Sequence, residues 1–272
     1  MLYLCITIPI IIMVWLLYSS RNMLLWVGGW ALRRRYDIEF DGMLGADLGK
    51  NYLIIPNHPA VVDPLILVTE LHRRKIDVFP FVDESFFSNG ILRHVLAMFN
   101  AARVPDFRKI NFQPPLKSRT EYHLAARRAR ALGYTALALL MAGENVLVYP
   151  SGHISADGSE RLGNRQLVYN VMAQLPEGVE VLAVRIRGLY GSMFSRVGGR
   201  KTPPIVKTTI KAFLLWPLSI FRRRRLVRIH AELITSHACE WAKLSRAEFD
   251  RRLEQWYDAD LAMLGLKAEA ET

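Results

Sequence analysis

Short runs of apolar, often β-branched residues alternate along this chain with longer stretches in which apolar positions recur every three or four residues. Tyr52–Pro56, Val78–Val82, Asn145–Tyr149, Val181–Ile186 and Leu226–Leu233 have the length and composition of buried strands. Between them Leu65–Arg74, Arg119–Met141 and Leu162–Gln174 carry helical spacing, the second closed by Gly143 and the third by Pro176. A last helix is predicted over Arg246–Leu264, opened by the capping-box pair Ser245 and Glu248, with Phe249, Leu253, Trp256 and Leu264 on its inner face. Phe107–Lys117, interrupted by Pro114-Pro115, reads as a surface loop. Alternating strands and helices predict an α/β fold.

The pattern is different at the start. Met1–Ser20 contain no charged side chain, and only Arg21 interrupts an apolar stretch that runs to Leu32 before Arg33, Arg34 and Arg35. Twenty helical residues span about 30 Å, the thickness of a bilayer's hydrocarbon core. Residues 1–35 are therefore expected to form a membrane anchor and residues 36–272 the functional domain. Pro9 and the Gly28-Gly29 pair also allow a re-entrant anchor whose second helix, Asn22–Leu32, lies along the surface. The basic cluster that follows predicts a domain on the cytoplasmic side of the inner or plasma membrane.

Composition sharpens this picture at three points. With 51% hydrophobic and 22% charged residues and a mean hydropathy of +0.12, the chain is too apolar for a disordered protein. Two cysteines, Cys5 and Cys239, exclude a disulfide framework. The net charge of +11 is concentrated: Val181–Ala231 holds twelve basic residues and no acidic one, interleaved with the apolar run Ala212–Phe221. Basic, aliphatic and aromatic residues together suit an anionic membrane surface better than nucleic acid, and no nucleic-acid partner is expected. No GxxxxGK[ST] or GxGxxG sequence is present, which removes the common nucleotide-binding motifs. His72, His94, His123, His230 and His237 lack metal-ligand spacing, so no metal or cofactor is expected.

Chemistry concentrates after the first predicted strand, in Asn57-His58-Pro59-Ala60-Val61-Val62-Asp63. A carboxylate five residues beyond a histidine, across a turn that enters a helix, returns to one imidazole nitrogen and leaves the other to accept a proton. This is a triad without its serine, suited to a reaction in which the substrate's own hydroxyl is the nucleophile. Tyr149-Pro150-Ser151-Gly152-His153 follows the third predicted strand, where proline and glycine force a turn with backbone N–H groups available to an anion.

Together the Asn57–Asp63 block, the Tyr-Pro-Ser-Gly turn and Val181–Gly188 resemble the glycerophospholipid acyltransferase family over roughly residues 50–200. The resemblance implies a single acyltransferase domain with a central mixed sheet flanked by helices, with His58 as general base and Asp63 as its orienting partner. It implies an acyl donor, acyl-CoA or acyl carrier protein, and a lysophospholipid or 1-acylglycerol-3-phosphate acceptor. The substrate-binding residues it points to are Asn57, Arg108, Ser151, Gly152 and His153, with Arg108 favoured over Arg103 for phosphate. Val184–Arg196 resembles the branch fused to acyl-acyl-carrier-protein synthetases. The third block departs from the family's Phe-Pro-Glu-Gly-Thr-Arg-Ser: Ser151 and Ile154 stand where Glu and Arg are usual. That departure leaves room for a different acceptor, or for a membrane lipid-binding adaptor without turnover.

Overall fold

The run Tyr52-Leu-Ile-Ile-Pro56 is apolar at every central position, and the computed structural model shows why: Leu53, Ile54 and Ile55 are all fully buried, because both faces of their strand are covered. The structure describes residues 20–42, 50–104, 119–163, 166–197 and 224–263, with 203–204, 207–208 and 211 between the last two segments. The expected anchor helix over Met1–Ser20 lies outside the described residues except for Ser20, as does the Phe107–Lys117 loop. Among the described residues no helix is long and apolar enough to cross a membrane.

The order is α1 (Arg21–Arg35), β1 (Tyr36–Gly42), β2 (Tyr52–Pro56), α2 (Asp63–Arg73), β3 (Phe79–Asp83), α3 (Gly90–Met98) and β4 (Ala102–Val104). There follow α4 (Arg119–Met141), β5 (Val146–Leu147), α5 (Leu167–Met172), β6 (Glu180–Arg187), β7 (Arg225–Leu233), α6 (Thr235–Ala242) and α7 (Arg246–Met263). The strands form one seven-stranded sheet in the order β1-β7-β6-β2-β5-β3-β4. All neighbours are parallel except β6 and β7, so β1 and β7 run against the other five. The α/β reading with a mixed sheet flanked by helices therefore holds.

Each face of the sheet has its own core, and strand alternation assigns residues between them. Ile54, Leu182, Val184, Ile186, Val227 and Ile229 face α1 and α2, which contribute Leu25, Leu32, Ile66, Leu67 and Leu71. Leu53, Ile55, Val146, Val148, Val181 and Ala183 face the other helices, meeting Leu140 of α4, Val168 and Val171 of α5, and Phe249, Leu253 and Tyr257 of α7.

All five expected strands are present within a few residues of their predicted ends, and Arg119–Met141 and Arg246–Met263 are helical as expected. The Leu162–Gln174 helix is shorter, Leu167–Met172, because the residues before it form the loop over the site. β1, β4, α3 and α6 were not anticipated. β1 alternates buried Tyr36 and Ile38 and half-buried Phe40 with Asp37, Glu39 and Asp41, a short run next to the basic cluster, and its pairing with β7 completes it.

At the start of α7 the Ser245 hydroxyl accepts the Glu248 N–H at 3.4 Å. The Glu248 carboxylate turns outward to Arg251 and Arg252.

Candidate active site

β2, β5 and β6 are parallel, so their C-terminal ends meet on one edge, where an α/β sheet gathers the residues of a site. The segment leaving β2 is held there at almost every residue. Asn57 is buried: its N–H donates to Val184 O, its side-chain amide donates to Ile186 O at 3.1 Å, and its Oδ1 accepts Ile186 N–H at 2.6 Å. Asn57 thus extends the β2–β6 ladder one residue past Pro56 with side-chain atoms. Val61 N–H donates to Phe194 O, and Tyr257 of α7 donates its hydroxyl to Ile55 O at 2.7 Å.

His58 stands at the centre. Its Nδ1 lies 3.0 and 3.1 Å from the two Asp63 carboxylate oxygens, and Asp63 is fully buried in the first turn of α2, where it also accepts the Ala60 N–H at 2.9 Å. A carboxylate can only accept, so Nδ1 carries the proton and Nε2 is left as the basic nitrogen. Burial works to lower the His58 pKa, but the Asp63 charge and hydrogen bond, with Glu160 behind them, outweigh it and raise the pKa above the ordinary histidine value.

The loop after β5 closes over this dyad. The Tyr149 ring packs on the imidazole, centroids 4.3 Å apart and tilted by 38°. Its hydroxyl is buried near Asp63 without the alignment of a hydrogen bond, and burial, reinforced by the negative charges of Asp63 and Glu160, pushes its pKa well above the usual range. Ser151 is buried, donating its hydroxyl to His153 O at 2.9 Å, while His153 Nδ1 returns to Ser151 O at 2.8 Å. Gly152 adopts a left-handed conformation and its N–H closes a turn on Tyr149 O, so the amide that the sequence offered to an anion is engaged within the turn. Ile154 is buried, and Ser155 N–H donates to His58 O at 2.8 Å.

The structure also brings in a residue that sequence reasoning missed. Glu160 is 2% exposed, and its Oε2 accepts the His58 N–H at 2.9 Å. Burial raises its pKa to about 7, against the lowering influence of Ser151 and of the His58 amide. Glu160 sits in the polar run Ser155–Arg161, which reads as an exposed turn; the one hint in the sequence was the missing glutamate of the third block.

Of the other residues read from the sequence, Arg108 lies outside the described residues, and Arg103 stacks over the Phe87 ring at 4.6 Å. Four described arginines of the basic stretch are taken up in separate contacts. Arg185 is buried over the Trp256 ring, Arg187 donates to Tyr257 O, Arg224 reaches Arg33 O, and Arg228 pairs with Glu39. Among the described residues no group of three or more His, Cys, Asp or Glu side chains is placed to hold a metal ion.

This geometry belongs to a recognisable group of proteins. No curated protein matches the chain. Its fold is similar to that of the 1-acyl-sn-glycerophosphate (LPA) acyltransferase PlsC from Thermotoga maritima, with a TM-score of 0.53 at 14% identity over 91% of this chain and 82% of that one. A model of the family "Acyltransferase" matches residues 37–187, more than half of the chain, from β1 to the end of β6 and across the whole His58–Asp63 block. The chain belongs to the acyltransferase family and is an acyltransferase enzyme.

Proposed function

We propose that the protein transfers a fatty acyl group from a thioester, acyl-CoA or acyl carrier protein, to the hydroxyl of a lysophospholipid or 1-acylglycerol-3-phosphate at a membrane surface. The observation that carries this reading is the dyad: Nδ1 of His58 is tied to Asp63, and Nε2 has no hydrogen bond among the described residues. His58 Nε2 takes the proton of the acceptor hydroxyl as its oxygen attacks the thioester carbonyl carbon. The C–S bond then breaks, an ester forms, and the imidazolium returns the proton to the leaving thiolate. Asp63 stabilises the imidazolium between the two steps, and no covalent enzyme intermediate is needed.

Membrane association is supported by α1. Leu25, Gly29 and Leu32 are buried against the rest of the fold, whereas Trp26 and Trp30, one turn apart, are 71% and 50% exposed, with Arg34 over the Trp30 ring. Indole rings beside arginines suit the headgroup boundary of an anionic bilayer. An apolar helix of this kind, followed by Arg33, Arg34 and Arg35, supports the reading of the domain as attached to the cytoplasmic leaflet.

The test is labelled acyl transfer from acyl-CoA and from acyl carrier protein to a panel of lysophospholipids, using membranes that contain the wild type or His58→Ala. Transfer that disappears with His58→Ala is expected, and the preferred donor and headgroup then define the substrates. Transfer that persists removes His58 as the base.

A further inference from the structure

Two polar atoms beside His58, Glu160 Oε1 and Tyr149 Oη, are buried without hydrogen-bond partners among the described residues. A buried carboxylate with one oxygen unsatisfied costs stability, and such a group is retained where its charge has a use. Glu160 is held in place from both sides. On one side its Oε2 accepts the His58 N–H. On the other, α7 grips the residues that follow: Leu162 N–H donates to the Glu254 carboxylate at 2.7 Å, and Arg161 pairs with Asp258 at 3.0 Å. Ser155 N–H, from the same loop, takes the His58 carbonyl. The loop from Ser151 to Leu162 therefore clamps both backbone groups of His58 while bringing a carboxylate within electrostatic reach of its imidazole.

We propose that Glu160 is a positioning residue for the acyl-transfer reaction, fixing the His58 backbone through Oε2 and supplying a second negative charge that stabilises the His58 imidazolium. It delivers to the site, from nine residues further along the chain, a carboxylate of the kind that the third block lacks at Ser151, whose hydroxyl stands next to Glu160. The inference rests on the acyltransferase reading for its kinetic consequence, and on geometry alone for its effect on His58.

Several charged and titratable groups lie around Glu160 among the described residues, beginning with Arg161, whose guanidinium donates to Glu160 O at 3.3 Å. His58 and Asp63 face it from the β2–α2 turn, Tyr149 from the end of β5 and Tyr257 from α7, with Arg185 of β6 beyond Tyr257. Asp63 opposes ionisation of Glu160 and His58 favours it, so Glu160 and the imidazole titrate as a coupled pair. Because Glu160 raises the His58 pKa, removing its charge moves the His58 titration to lower pH.

Glu160→Gln keeps an oxygen for the His58 N–H and deletes only the charge. The expected result is a folded protein in which kcat falls roughly ten-fold or more, KM changes little, and the acid limb of the kcat/KM profile lies at lower pH than in the wild type. Placing the charge on the neighbouring side chain, in the double variant Ser151→Glu/Glu160→Gln, is expected to restore part of the loss and return the acid limb toward its original position. The titration of His58 itself, followed by NMR on histidine-labelled protein and assigned by comparison with His58→Ala, reads the same shift without turnover. It separates a failure of this inference from a failure of the acyltransferase reading. An unchanged His58 titration in Glu160→Gln overturns the proposal. So does a Glu160→Gln protein that fails to fold, which makes Glu160 a structural strut, or one with wild-type kcat and pH profile.

Discussion

His58 sits in an environment that pulls its proton affinity in opposite directions, and Asp63 decides the outcome. Asp63→Asn keeps the shape of the site but lets the imidazole adopt either tautomer and removes the charge that stabilises the imidazolium. Its kcat is expected to fall by roughly 10²–10⁴-fold with little change in fold; stopped-time acyl-transfer assays beside thermal melts check this. Glu160 gives a second expectation, this one in stability. Its pKa is raised from 4.5 to about 7 in the folded protein. A raised carboxyl favours folding through its protonated form: that contribution is complete below about pH 4.5 and is lost as pH rises through 7. Relative to Glu160→Gln, the wild type should therefore lose stability between pH 4.5 and pH 8, by on the order of 3 kcal/mol. Denaturant unfolding of both proteins across that range tests it, and parallel pH profiles would sink the idea.

At the level of elements, the site depends on strands that end in register. The Asn57 amide replaces a peptide group in the β2–β6 ladder, so Asn57→Ala leaves the Ile186 N–H and C=O buried without partners and is expected to cost about 2–4 kcal/mol. Activity should fall along with it, since His58 is the next residue. Gly188, at the end of β6, has φ +86° and would place a Cβ 2.1 Å from Leu226 O on β7. The obstacle is backbone on the neighbouring strand, so Gly188→Ala must push β6 and β7 apart; a loss of stability of about 2 kcal/mol or more, read by denaturant unfolding, is expected. Much at this level was legible beforehand. β2 and β6 were, because burial on both faces makes their apolar runs nearly continuous, and β7 was, because buried Val227, Ile229 and Ala231 alternate with Arg228 and His230. β4 and α3 were not, since a three-residue edge strand and a nine-residue helix carry too little pattern to stand out.

For the whole molecule, the question is how α1 is joined to the domain behind it. Gly29 lies against Thr69, where an added Cβ would sit at 3.5 Å, and Arg33 makes two hydrogen bonds to Glu70, a carboxylate of α2 with no exposure. Arg74, the C-cap residue that ends α2, holds the same carboxylate. Arg33→Met leaves Glu70 with one cationic partner and is expected to cost about 2–4 kcal/mol, lowering Tm by several degrees. Because α2 begins at Asp63, this contact ties the helix that presents Trp26 and Trp30 to the helix that carries half of the dyad. Trp26→Ser/Trp30→Ser is expected to weaken flotation with anionic vesicles several-fold and to leave the melting temperature nearly unchanged, as both rings are exposed.

The sequence by itself determined the fold class, the His58–Asp63 dyad and the turn at Gly152, because each is written in local pattern: apolar runs of strand length, a histidine and an aspartate across one turn, a proline and a glycine framing a bend. Asn57 was visible as a member of the first block, but only the tertiary structure assigned its amide to Ile186, 129 residues away. The structure also decided where Arg185, Arg187, Arg224 and Arg228 of the basic stretch go, since charge along a chain does not say which neighbours will take up each arginine. Glu160 is the sharpest case. It is a glutamate in a polar loop, indistinguishable in sequence from a solvated one, and it is buried against His58 because α7 draws the loop inward over the ends of β2 and β5. That packing is long-range, and no local propensity carries it.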